Sequence, residues 1–174
     1  LRLALNSKVI NIICIAMTII MVTACSTKKN TSGARFYHAM TARFNTYFNG
    51  AEAFKEGVEA QQNGHKDNYT ELLPIFSIRD KKTAVIGKSN FETAITKSEK
   101  AIKQHSIKAK PKTNVNKKKT AKEKAYLARK EFNPFLKHAW LLMGKAQFQQ
   151  GLFIEAASTF NYITNLYAGQ PEVV

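Results

Sequence analysis

Apolar positions follow three regimes along the chain. Val9 to Val22 is an almost unbroken apolar run. From Phe36 the spacing becomes helical, through Phe36, Met40, Phe44 and Tyr47, with Tyr37 and Phe48 flanking the stripe. Asn49-Gly50 is a turn signal, and Ala51 to Gln62 resumes the helical pattern through Ala53, Phe54 and Val58, so the pair is predicted to form a helical hairpin. Gln61 to Lys88 is irregular, with Gly64, Pro74 and Gly87 as breakers around Leu72-Leu73-Pro74-Ile75-Phe76, and reads as a long connection lying on the helices. Ser89-Asn90-Phe91-Glu92 has capping-box spacing and should start a helix through Phe91, Ile95, Ser98 and Ile102. Lysines and Pro111 then replace large apolar residues from His105 to Thr120, which predicts a mobile linker. Helix is expected again over Ala121 to Phe132, with a break at Asn133-Pro134 because a proline excludes the residue before it from helical geometry.

The third regime, Phe135 to Ala168, is the most informative. Small residues at Gly144 and Ala156 sit where two helices must approach closely, Gly151 permits a chain reversal, and Trp140, Phe148, Phe153 and Phe160 are expected to fill the space around the contact. With Met143 and Ala146, these positions follow the tetratricopeptide pattern in one register. Met143 stands where Leu is usual, Gln147 occupies a normally aromatic position, and Pro171 comes about three residues late, which leaves the end of the second helix open. The expected fold is therefore all-α: antiparallel hairpins of tetratricopeptide type starting a right-handed α-solenoid. One such unit leaves a face bare, and about three repeats are needed for a stable stack. The Leu at the start points to an alternative start codon or a fragment, and because the chain stops where a further repeat is expected it reads as the N-terminal part of a longer protein.

Charge sharpens the picture through its distribution. The net +15 is concentrated between Lys97 and Lys130, where thirteen Lys or Arg face only Glu99 and Glu123. Both cysteines, Cys14 and Cys25, fall in the first 25 residues, so no disulfide framework holds the remainder.

Arg2 and Lys8, the apolar run, and Thr23-Ala24 before Cys25 are the three regions of a secretory signal peptide. The run is shorter than the roughly 20 residues of a permanent span. Val22-Thr23-Ala24-Cys25 resembles the bacterial lipobox, which implies that Cys25 is alkylated with diacylglycerol and becomes the first mature residue. Two or three acyl chains, at about 0.8 kcal/mol per buried methylene, would hold such a protein at a membrane. The alternative is an ordinary signal peptide with Cys25 incidental. Ser26 in place of Asp favours the outer membrane by resemblance to known sorting rules, and the lack of an acidic run after Cys25 favours a periplasm-facing position. The expected organisation is a signal peptide over 1–24, a lipidated tether over 25–34, a helical hairpin, connection and helix over 35–104, a flexible linker over 105–120, and a helix plus repeat unit (135–168) over 121–174.

Several stretches together carry a family resemblance: Arg35-Phe36-Tyr37-His38, Thr46-Tyr47-Phe48-Asn49-Gly50, Ala53-Phe54-Lys55-Glu56-Gly57, Leu72-Leu73-Pro74-Ile75-Phe76, and Asn133-Pro134-Phe135 leading into Ala139-Trp140-Leu141-Leu142-Met143-Gly144. With the lipobox, they resemble the start of the Bacteroidetes SprE/PorW lipoproteins, from Cys25 onward except for the lysine-rich linker. The resemblance implies a role accessory to type IX secretion and gliding motility, joining the periplasmic ring and motor to the outer-membrane translocon. Its partners would be secretion-system proteins. Family members are much longer than this chain.

No chemistry competes with that expectation. His38, His65, His105 and His138 are too dispersed for a local metal motif, the eight glycines form no phosphate loop, and no serine sits in a nucleophile elbow. Glu52, Glu56 and Glu59 share a helical face and read as solvated surface. No catalytic residue, metal, cofactor, small-molecule substrate or nucleic-acid partner is expected. The lysines, among them Lys117, Lys118, Lys119, Lys122 and Lys124, read first as a solvated linker and second as a contact for anionic headgroups, lipopolysaccharide or an acidic partner. A barrel-assembly accessory lipoprotein and a lipopolysaccharide-binding module are the competing functions.

Overall fold

The computed structural model describes residues 10–12, 27, 29–70, 72–73, 75, 81–114, 116 and 118–170. Most of the apolar run, Cys14, Cys25, Pro74, Phe76 and Lys117 lie outside the described residues, and so do the signal-peptide and lipidation expectations. Among the described residues every regular element is helical, and no helix is long and apolar enough to cross a membrane. The elements are α1 (Ser32–Thr41), a π-helical segment (Ala42–Tyr47), α2 (Phe48–Gly64), α3 (Lys81–Val85), α4 (Lys88–His105), α5 (Ala121–Ala128), α6 (Leu136–Gln149) and α7 (Phe153–Leu166).

The first hairpin expected from the sequence is absent. α1, the π-helical segment and α2 run on without a turn, and Asn49 and Gly50 lie inside α2. The Asn49 side-chain amide donates to the Asn45 carbonyl one turn back, so it supports the helix instead of ending it. Gly50 is buried because α4 and α6 come close: a Cβ there would meet Lys97 Cβ at 3.1 Å and Leu142 Cδ2 at 3.4 Å. Its missing side chain serves packing, which offsets the roughly 0.5–1 kcal/mol that glycine costs inside a helix.

Residue spacing explains the π-helical segment. Ala34, His38, Ala42, Thr46 and Gly50 are buried at intervals of four, and exposed Phe36, Met40, Phe44 and Phe48 keep the same interval. In a pure α-helix each four-residue step overshoots a full turn by about 40°, so both stripes would spiral off their faces. The Phe48 N–H donates to the Arg43 carbonyl five residues back, and this wider turn takes up the drift.

α4 packs between α2 and α6, and α7 packs on α6. Phe91, Ala94 and Ala146 form one core cluster with Phe54, Val58 and Ile95, while Ala101, Leu136 and Ala139 form a second with Tyr47, Ile102 and Trp140. α4 starts one residue before Ser89, at a Gly87 with φ +72°, and no side chain caps it. The expected Ser89–Glu92 box does not form: the Ser89 hydroxyl turns to Asn90 Oδ1, and the Glu92 carboxylate accepts from Gln150. A capping box does start α5, where Thr120 and Glu123 satisfy each other's backbone amides.

The stretch read as a mobile linker is in part fixed. Ile107 is fully buried, its carbonyl accepts from the Phe132 N–H, and the Ala109 carbonyl accepts from the Asn30 side chain at 2.7 Å. A single large apolar residue among lysines was enough to dock this part of the segment. The helix expected over Ala121 to Phe132 closes earlier, at Ala128, and the Phe132 and Asn133 amides donate to the Glu131 carboxylate instead of continuing it.

α6 and α7 form the hairpin expected over 135–168, with Gly151 at φ +81° in the reversal. A Cβ on Gly144 would lie 2.6 Å from Phe160 Cε1, so the ring sits where a side chain would otherwise be. Ala156 is buried, and Trp140 stacks on Tyr162 with centroids 4.7 Å apart. Phe148 and Phe153 depart from expectation. They meet each other edge to face at 5.5 Å, yet stay 40% and 44% exposed, because the short reversal leaves them at the rim of the hairpin.

Candidate functional surfaces

The polar groups that the fold brings together are buried and structural in character. At the end of α4, Ser106 and Ile107 meet the segment that leads into α6, and the Glu131 carboxylate lies between them, 4% exposed. Glu131 Oε1 accepts the N–H groups of Ile107 at 2.8 Å, Phe132 at 3.0 Å and Asn133 at 2.8 Å, and Oε2 accepts the Ser106 hydroxyl. Asn133 extends this seam, donating from its amide to the His105 carbonyl at 2.9 Å and accepting the Phe135 N–H at 3.0 Å. The carboxylate thus serves as an acceptor for a bend whose amides no helix uses. Nearby, the buried Tyr167 hydroxyl has no hydrogen-bond partner among the described residues; burial raises its pKa, with the Glu131 and Tyr162 charges adding to the effect.

His38 of α1 and His105 of α4, dispersed in the sequence, meet through their Nδ1 atoms at 3.0 Å in a buried contact. Burial lowers the pKa of both below 6.5, and the field of His38 lowers that of His105 further. One ring donates and the other accepts, which requires at least one neutral imidazole. His38 Nε2 is buried without a hydrogen-bond partner among the described residues. No group of three or more His, Cys, Asp or Glu is placed to hold a metal among the described residues. His65 lies apart, hydrogen-bonded to Thr83 and Asp67. No signal at the level of sequence motifs joins positions 67 residues apart.

Besides exposed Tyr69, Leu72 and Ile75 in the connection after α2, which do not lie on the helices as expected, three surfaces stand open among the described residues. The first is the reversal end of the α6–α7 hairpin, where Phe148, Leu152, Phe153 and Ile154 are exposed. The second surrounds α5: Lys118, Lys119, Lys122 and Lys124 are exposed, and Lys119 and Lys122 line a shallow groove with Pro111, Lys112, Tyr126 and Leu127. The third runs along α1, where the aromatic stripe that marks the helix in the sequence turns outward, while small residues and His38 face the core. Glu52, Glu56 and Glu59 are exposed, as the solvated-row reading expects. No protein-family model matches the chain, and no curated protein sequence matches it.

Proposed function

We propose that this protein is a non-enzymatic scaffold: a lipid-anchored lipoprotein on the periplasmic side of the outer membrane whose tetratricopeptide-type helices dock partner proteins in type IX secretion and gliding motility. The observation that carries the scaffold reading is the α6–α7 hairpin. Its close contact at Gly144 and Phe160 falls at the small and large positions of the repeat pattern, and its reversal end presents Leu152, Phe153 and Ile154 to solvent. A repeat that leaves apolar side chains exposed is suited to stack on a next unit or a partner. The anchor rests on Val22-Thr23-Ala24-Cys25, and the secretion role rests on the family resemblance of the sequence stretches quoted above.

The test of attachment is the intact mass of the N-terminal peptide from membrane-expressed protein, with Cys25→Ser as control. A diacylglyceryl-modified Cys25 as first residue is expected; an unmodified terminus sinks the lipoprotein reading. Cross-linking in intact envelopes followed by purification should recover secretion-system components. Recovery of barrel-assembly proteins in their place would transfer the scaffold to that machinery.

The groove around α5 favours a second reading, contact with an anionic polymer such as lipopolysaccharide through Lys112, Lys119 and Lys122. Binding of this kind weakens as salt rises. Affinity for lipopolysaccharide that is indifferent to salt, or absent at low salt, excludes it.

A further inference from the structure

The face of α1 opposite the core is apolar, and it is continuous. Phe36, Met40 and Phe44 are 70%, 51% and 57% exposed, and Phe48 extends the row. With Ala39, Arg43, Pro134 and Phe135, the first three line an open groove. Scattered exposed apolar residues need no explanation, but a contiguous row of this kind marks a contact surface. The π-helical segment keeps the row straight, so the ridge is a product of the winding of the chain and not of a loose end.

Charge and position narrow what covers it. Residues 1–51 contain six Lys or Arg and no Asp or Glu. At the ridge itself, the Arg43 guanidinium lies over the Phe44 ring at 5.2 Å. His138 lies beside this surface, in contact with Tyr47 and Phe135, and its pKa is lowered first by burial and then by the charges of Lys137 and Arg43. Among the described residues the lining of this groove is therefore aromatic, contains Met, and carries Arg43 and no acid. That is the composition of a helix lying in a membrane interface, with apolar groups at the acyl boundary and cations at the phosphates. Distance agrees. On the lipid-anchor reading Ser32 follows Cys25 by seven residues, which reach at most about 25 Å fully extended, so the anchoring membrane lies within reach of α1. A protein partner would need acidic groups to meet Arg43 and has no such tether to concentrate it there.

We propose that Phe36, Met40 and Phe44 dock on a phospholipid bilayer, with Arg43 at the headgroup phosphates, so that α1 lies flat on the membrane and orients the helices above it. The proposal rests on the membrane attachment argued above, and its test is chosen to separate the two. The photo-reactive residue benzoylphenylalanine is placed singly at position 36, 44 or 59 of the full chain, expressed in membranes and irradiated there. Glu59 is an exposed control on α2. Phe36 and Phe44 are already exposed aromatics, so these replacements leave the fold intact.

Phospholipid adducts, read by mass, are expected to be at least tenfold more abundant at 36 and 44 than at 59. Arg43→Glu should reduce the adduct at 44 several-fold. Adducts to protein at 36 and 44, or lipid adducts no more abundant than at 59, overturn the proposal. The N-terminal peptide of the same sample reads the anchor independently. Unmodified Cys25 with strong ridge adducts removes the anchor and keeps the docking surface; modified Cys25 without ridge adducts does the reverse.

Discussion

Replacing Glu131 by alanine should cost far more than its place in a short bend between helices implies. Three backbone amides converge on one carboxylate oxygen, and the Phe132 N–H alone has a second acceptor, the Ile107 carbonyl at 3.0 Å. Glu131→Ala therefore strands the Ile107 and Asn133 amides in a buried site. Each unsatisfied buried donor costs about 1–3 kcal/mol, so the variant should lose about 4 kcal/mol. That is a large fraction of the roughly 5–15 kcal/mol that holds a domain folded. Glu131→Gln keeps an acceptor oxygen for the amides and can donate to the Ser106 hydroxyl from its new nitrogen. It loses only the charge assistance and should cost about 1–2 kcal/mol.

The single tryptophan, Trp140, supplies a probe because it packs in the core cluster between α4 and α6 and against Tyr162. Urea titration of the detergent-solubilised full chain, followed by Trp140 fluorescence and far-ultraviolet circular dichroism, reads the loss directly. With a slope of about 2 kcal/mol per molar urea, the alanine midpoint should fall by about 2 M and the glutamine midpoint by less than 1 M. Coincidence of the two signals is required for the conversion to free energy. An alanine variant within about 0.5 kcal/mol of wild type, or a glutamine variant as weak as alanine, refutes the role given to the carboxylate.

Asn49→Pro separates an uninterrupted helix from a turn: inside α2 it should cost about 3 kcal/mol in the same titration, whereas a turn would accept it with little loss. Deleting Asn45, one residue of the π-helical segment, shifts the downstream buried and exposed positions toward the ordinary α period and should leave stability within about 1 kcal/mol, while deleting Glu59 rotates the rest of α2 by about 100° and should be far more damaging. Stability should also fall on acidification, because His38 and His105 have folded pKa values below the unfolded 6.5 and the unfolded chain binds more protons. Their contribution is complete above pH 6.5 and declines below it, by at most about 1.4 kcal/mol per pH unit for each proton; a His38→Asn/His105→Asn variant should show a shallower slope between pH 7 and 5.

What could be read in the sequence was local. The α6–α7 hairpin follows from small, large and turn residues within one short window, and Gly144, Ala156 and Gly151 stand where the pattern places them. Asn49-Gly50 misled because the same glycine that opens a turn also lets helices touch, and only α4 and α6 decide between those uses. Ile107 is one apolar residue among lysines, and nothing within its own stretch announces the pocket that takes it. The His38–His105 contact and the amide nest of Glu131 depend on chain segments far apart in sequence, so their residue types carry no local signal. The Phe36–Met40–Phe44 stripe gave the helix correctly and its orientation not at all, since apolar periodicity normally marks the buried face.

That inversion has a physical consequence for α1. Through α1, the π-helical segment and the start of α2 the buried face consists of Ala34, His38, Ala42, Thr46 and Gly50, residues that bury little apolar area, while Phe36, Met40, Phe44 and Phe48 face outward. Hydrophobic burial therefore contributes less to its docking than in an ordinary amphipathic helix, and specific contacts weigh more: the His38–His105 hydrogen bond, Asn30 to Ala109, and Tyr47 in the cluster of Ala101 and Leu136. A four-residue period kept on both faces holds these contacts inward and the aromatic ridge outward at once. A uniform α-helix would rotate one set by about 160° between Ala34 and Gly50, so the wide turn over Ala42–Tyr47 is what allows a single helix to serve the core and the outer surface together.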